Sequence, residues 1–209
     1  MVRKRFKYFK TFHRCGLEKS LKKLSAKYNG FNEIIQIGAG EDGLCEEFVY
    51  KNKVTLDIDS KLSPDYLKDI TSDHLNDIGK KNCIFCLEVL EHVNDINSAL
   101  MNMRNLGDND SLFIFSIPFC FHIHGDPEDY RRYTIHGFKN LLDFNDYILI
   151  DHDFFGSYTS CAFDLILLSP ALRYILFPLR FITIFVNYFF PSSINCPSGY
   201  LFVAKLKNS

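Results

Sequence analysis

Three sets of residues have the types and spacing to do chemistry. The first is a glycine turn. Gly38, Gly40 and Gly43 stand in IGAGEDG, directly after the apolar run IIQI at 34–37. Glycine is needed where a backbone turns tightly and a ligand lies against it. Asp57, near the end of a second apolar run at 54–58, follows Gly38 by 19 residues. A carboxylate there is positioned to accept hydrogen bonds from a ribose diol. The second set is Glu88, Glu91 and His92 in LEVLEHV at 87–93. Carboxylates and imidazole can ligate a metal or move protons, and on a helix Glu88 and His92 would share a face. No further ligand set accompanies them. Glu91 is therefore expected to be solvated or salt-bridged, and His92 to pack or cap. The third set is the loop FHIHGDPEDYRRYT at 121–134, with His122, His124, Asp126, Glu128, Asp129, Arg131 and Arg132 beside two tyrosines. His124 is the first candidate general base and His122 the second, because imidazole titrates near neutral pH. Alternation along an extended stretch would turn only one of them to a bound ligand. Asp126 or Asp129 could orient that imidazole or serve as the base itself.

The elements that must position these groups read as alternating strands and helices. Strands are expected at 34–37, 54–58, 83–87, 112–117, 147–155 and 199–206, with a weak one opening at Asp69-Ile70. Helical sequence follows the glycine turn to about Tyr50. A second helix runs from Asp95 to about Leu106, with Leu100, Met103 and Leu106 on one face. A third follows Thr134, a plausible N-cap, through Leu142. Strands alternating with helices argue for a doubly wound, mostly parallel sheet. In such a sheet the 121–134 loop leaves the carboxyl edge, where ligands sit.

At 209 residues the chain suits one α/β domain with a real core. Its net charge of −1 hides an asymmetry. Residues 1–30 hold ten Lys/Arg and one acid, Glu18, which leaves 14 basic and 24 acidic residues for the rest. A basic, helical arm (1–30) thus precedes an acidic body (31–209), a pattern that suggests an anionic partner. Seven cysteines show no disulfide framework. Cys83 and Cys86 form a lone C-x-x-C inside an apolar strand, which reads as buried free thiols in a reducing cytoplasm. The basic start leads into polar sequence, so no signal peptide is expected. Residues 161–191 are strongly apolar, but charges and prolines interrupt them. The longest unbroken apolar run, 181–186, is far short of the ~20 residues that span a bilayer. This insertion is either a pair of helices covering the core or an interfacial pair dipping into a membrane.

IGAGEDG, LDID, the later DI at 69–70, LEVLEHV and SIPF occur in that order. Over about residues 30–150 this resembles the class I S-adenosylmethionine-dependent methyltransferases, especially the small single-domain group with a LEVLEHV signature. The resemblance implies a Rossmann-like, doubly wound sheet of seven strands with the last one antiparallel. It implies that Gly38 and Gly40, with Gly43 completing the turn, pass beneath the methionine part of the cofactor. Asp57 would hold the ribose, Asp69 and Ile70 border the adenine, and Leu87 and Glu88 flank the cofactor on the substrate side. It implies no metal. The related enzymes carry a stretch like that from His124 to Thr134, with Arg132 and Tyr133 as structural anchors. One position departs: Gln36 stands where the family has an acid that seats the cofactor's amino end.

The expected activity is methyl transfer from S-adenosylmethionine to a hydroxyl or amine of a small molecule, glycan or lipid-linked acceptor. The location would be cytoplasmic, on the inner face of a membrane if the apolar stretch is interfacial. A NAD(P)-dependent sugar oxidoreductase is the alternative that the glycines also allow, but no Tyr has Lys four residues on. A non-catalytic module of the same fold rests on Gln36 alone. Nucleic acid as a partner is disfavoured by the acidic body and by the absence of an Asn-Pro-Pro-Tyr-type motif.

Overall fold

The computed structural model of the chain describes residues 10–38, 40, 43–72, 74–125, 128–167, 179–189 and 195–207. Seven strands form one sheet: β1 Phe31–Ile37, β2 Tyr50–Asp57, β3 Tyr66–Leu67, β4 Cys83–Leu87, β5 Leu112–Pro118, β6 Tyr147–Phe155 and β7 Gly199–Leu206. Their order is β3-β2-β1-β4-β5-β7-β6. The pairs from β3 through β5 are parallel, and β7 runs antiparallel to both of its neighbours. The strand β4 is buried at every position, as expected for a central parallel strand covered on both faces.

Helices α2 (Ile96–Arg104) and α3 (Ile135–Phe144) cover one face. Their Leu100, Met103, Phe138 and Leu142 pack with Ile35, Ile84, Phe113, Phe115 and Tyr147. Each starts on a side-chain cap. Asp95 accepts from the Ser98 amide, and Thr134 accepts from the Gly137 amide. Such caps satisfy amides that have no intrahelical partner. The buried Tyr147 hydroxyl donates to the Leu100 carbonyl at 2.7 Å, tying α2 to β6.

Helix α1 (Phe12–Ser25) covers the other face. Leu17, Leu21 and Leu24 recur at helical spacing and pack with Ile34, Phe85, Leu112 and Val203. The N-terminus of α1 is met by Asp164 of α4 (Tyr158–Ile166), whose carboxylate accepts from the amides of Phe12 and His13 at 3.0 and 2.8 Å. An anion suits that helix end. The described part of the basic segment, residues 10–30, therefore lies on the domain, and two of its lysines meet the body's acids. Lys23 pairs with Asp153 and Lys27 with Asp151, both on β6. The last helix, α5 (Leu179–Phe189), belongs to the apolar stretch before β7. No helix among the described residues is long and apolar enough to cross a membrane.

Two elements differ from the sequence reading. Only a short 3-10 turn, Leu44–Glu47, separates the glycines from β2, where a helix to about Tyr50 was expected. Leu44, Cys45 and Phe48 bury beside the α1 leucines, so α1 covers the sheet face that a longer helix would need. The third strand is Tyr66–Leu67 and does not open at Asp69-Ile70. Asp69 instead accepts from the Thr71 amide and hydroxyl, closing a turn after the strand.

Candidate cofactor and substrate site

The carboxyl ends of β1, β2, β4 and β5 converge on one edge of the sheet. Gly38, at the end of β1, has φ +63°, and a Cβ there would lie 2.3 Å from a Val89 methyl. Glycine is therefore required by close packing as well as by the left-handed backbone. Gly40 and Gly43 are also left-handed, so the connection turns on glycine three times. Behind it, Gln36 is buried, and its amide oxygen accepts from the Cys45 thiol at 2.9 Å. Asp57 closes β2 and is largely buried. One carboxylate oxygen accepts from the Asp59 amide at 2.9 Å, which fixes the side chain at the strand end. Ile70 contributes its side chain to the core, and its carbonyl accepts from Asn102 of α2.

Leu87 is buried at the end of β4, and Glu88 follows with φ +55°. A non-glycine residue in that region is held there by its surroundings. The Glu88 amide donates to the Ser116 hydroxyl at 3.0 Å, and that hydroxyl donates to Glu88 Oε1 at 2.8 Å. Glu88 Oε2 accepts from His13 Nε2 at 2.7 Å, and His13 Nδ1 lies 2.7 Å from the Ser198 hydroxyl. Burial pushes the Glu88 carboxyl up, but His13 and the Ser116 hydroxyl outweigh it and hold it below its ordinary value. The motif reading did not reach His13. It lies 75 residues from Glu88 in a segment read as a charged arm, and its one signal was an imidazole one turn before the leucine stripe.

Glu91 is not solvated, which corrects that half of the sequence expectation; the only ion pairs open to it among the described residues are with the His92 and His124 imidazoles when these are protonated. It is fully buried, and among the described residues neither carboxylate oxygen has a hydrogen-bond partner. Residues 88–92 do not form an α-helix: a 3-10 turn, Leu90–His92, follows the left-handed Glu88. That turn tucks Glu91 under the 121–134 loop, whose Tyr130 amide donates to the Glu91 carbonyl at 2.8 Å. Burial, and then the nearby Glu88 charge, push the Glu91 carboxyl well above its usual range. His92 caps the loop through Nδ1 and the Glu128 carbonyl, 2.5 Å apart.

His124 Nε2 and His92 Nε2 lie 3.9 and 3.6 Å from Glu91 Oε1. A carboxylate with two imidazoles is a donor set that divalent transition metals accept. Among the described residues, these three side chains are the groups at this edge that could hold a cation. The loop is pinned by Asp129, which takes both terminal nitrogens of Arg132 and accepts from the His124 amide. Arg132 lowers the Asp129 carboxyl to about 2. Burial pushes the His122 and His124 imidazoles down, which favours their neutral, proton-accepting form. The stretch is not a strand, and the two rings lie 5.7 Å apart around Phe121. Extended alternation therefore does not separate them. Asp126 lies outside the described residues.

A shallow polar depression at the opposite edge, near Lys80, Arg104, Asp108 and Lys207, gathers no comparable chemistry.

No family model matches the sequence, and no curated protein matches it. Solved structures do match the fold. An S-adenosylmethionine-dependent methyltransferase from Clostridium acetobutylicum superposes with a TM-score of 0.60 at 11% identity, covering 94% of this chain and 92% of that one. The N-methyltransferase NodS from Bradyrhizobium japonicum, crystallised with S-adenosyl-L-homocysteine, gives 0.57 at 9% identity over 98% and 92%. The 1,6-didemethyltoxoflavin-N1-methyltransferase of Burkholderia thailandensis gives 0.59 at 10% identity over 92% and 79%. The chain has the Rossmann-like fold of class I methyltransferases.

Proposed function

We propose that this protein is an S-adenosylmethionine-dependent methyltransferase acting on a hydroxyl or amine of a small molecule. The carrying observation is the carboxyl edge itself. Left-handed Gly38 and Gly40, Asp57 at the end of β2 and the anchored Glu88 at the end of β4 line one edge. The cofactor would supply an electrophilic methyl group on a sulfonium. The glycine turn gives it a side-chain-free floor, and Asp57 offers a fixed carboxylate for a ribose diol. Glu88, held as a carboxylate, offers an acceptor on the substrate side. Holding an acceptor in line supplies much of the rate. His124 is the first candidate to take the acceptor's proton, with His122 second. Their neutral imidazoles are competent, and Asp129 fixes the segment that carries them. A base in that position contributes about 10²–10⁴ in rate.

The test is calorimetry with S-adenosylmethionine, S-adenosylhomocysteine and NAD on the wild type and Asp57→Ala. Micromolar binding of the first two and little of NAD is expected. Losing the carboxylate should cost on the order of 1–3 kcal/mol. Wild-type protein that binds neither ligand would leave a non-catalytic module. Equal binding by both proteins would remove Asp57 from the site.

A glycan or lipid-linked acceptor at a membrane surface is a second reading, favoured by α5. Its Phe181, Ile182, Ile184 and Phe185 are each at least half exposed, as an interfacial helix would present them.

A further inference from the structure

Cys120, Cys161 and Cys196 are remote in sequence. Cys120 follows β5, Cys161 lies in α4 and Cys196 precedes β7. The fold brings their three sulfurs within 4.8 Å of one another. Backbone bonds hold the meeting point. The Cys120 amide donates to the Pro197 carbonyl at 3.2 Å, and the Phe119 amide donates to the Ser198 carbonyl at 2.8 Å. A Ser157–Ser160 capping box fixes the first turn of α4, which ends beside Cys161. We propose that Cys120, Cys161 and Cys196 form a thiolate site for a soft divalent metal ion of the zinc class, with a fourth position open to solvent.

Donor chemistry, spacing and access support the assignment. Thiolates select soft or borderline ions. Zinc–sulfur bonds of about 2.3 Å put tetrahedral sulfurs roughly 3.8 Å apart, so side-chain rotations of an ångström or less close the site. Cys161 is buried, whereas Cys120 and Cys196 are partly exposed and give the ion a way in. Burial, and the neighbouring Cys120, push the Cys161 and Cys196 thiols up. Metal entry forms three metal–sulfur bonds and releases up to three protons to solvent, so affinity rises with pH. Ser198, which follows the Cys196 end of the cluster and accepts from the Phe119 amide, carries the hydroxyl bonded to His13 of the His13–Glu88 pair. The bound ion would thus brace the element that carries this contact.

The experiment uses the full chain, reduced and stripped with chelator, and titrates it with cobalt(II) and then zinc. The expected result is thiolate-to-cobalt charge-transfer absorption that saturates at one equivalent per chain and is displaced by zinc. Zinc should also shield the two partly exposed thiols of the site, Cys120 and Cys196, from a thiol reagent. Cys120→Ser and Cys196→Ser, at partly exposed positions, should each weaken cobalt binding by more than about tenfold. Cys15→Ser should leave the band unchanged. Melting curves in chelator report whether each variant folds. Absence of the band, its survival in both Cys120→Ser and Cys196→Ser, or a disulfide among the three after purification without reductant would overturn the site. None of these readouts depends on methyl transfer.

Discussion

The His13–Glu88 contact gives a measurable prediction. His13→Ala removes a charge-assisted hydrogen bond to Glu88 and a second bond to Ser198, both 2.7 Å long and largely buried. The first is worth about 1.5–3 kcal/mol and the second about 0.5–1.5. The expected loss is therefore roughly 2–4 kcal/mol, or about 5–15 °C in Tm for a domain of this size. Lost packing adds to that figure, because the His13 ring also lies against the Phe121 and Phe155 rings. A double-mutant cycle with Glu88→Gln isolates the pair, and its coupling should be about 1.5–3 kcal/mol at pH 7. The pH dependence has a definite sign. Glu88 is held below its ordinary value of 4.5, so its contribution is fully present above about that pH. It is lost as pH falls through the folded-state value. Urea unfolding of the four proteins at pH 7 and pH 4 measures both effects. Additivity within about 0.5 kcal/mol at pH 7 would refute the pairing and leave His13 a packing residue.

Two further outcomes are expected. Glu91→Gln should raise stability at neutral pH by roughly 1–3 kcal/mol. The folded protein holds the Glu91 carboxyl well above its ordinary value, so its contribution is present below about pH 4.5 and lost as pH rises toward the folded-state value. Urea unfolding from pH 4 to 8 should show the two proteins diverging as pH rises. Parallel curves would contradict a carboxyl kept neutral by burial, and a divalent cation bound at Glu91, His92 and His124 should reverse the sign. If α5 is interfacial, the protein should float with anionic vesicles at low salt and lose that association in Phe181→Ser/Phe185→Ser. Flotation unchanged by that double substitution, or absent with every vesicle, would make the apolar stretch a cover for the domain.

Much of the fold was legible in the chain because it is written in local patterns. The runs at 83–87, 147–155 and 199–206 are the observed strands β4, β6 and β7. Apolar, β-branched and aromatic residues bounded by turn residues define such segments without knowledge of neighbours. Asp95 and Thr134 cap α2 and α3 because a short polar side chain before an apolar helical stripe has one favourable use. The glycines at 38, 40 and 43 required left-handed backbone, and all three adopt it.

Tertiary structure alone decided what the charged and sulfur-bearing residues do. The basic segment gave no sign that Lys23 and Lys27 would pair with Asp153 and Asp151, or that its histidine would reach Glu88. Each contact joins groups more than 70 residues apart. Glu91 read as solvated or salt-bridged because acids are rarely buried without a partner, yet the turn at 90–92 and the loop above it enclose it. The three cysteines that meet between β5, α4 and β7 had no spacing to betray them. Side-chain chemistry depends on which groups share a volume, and a sequence determines that only once the whole sheet has closed around them.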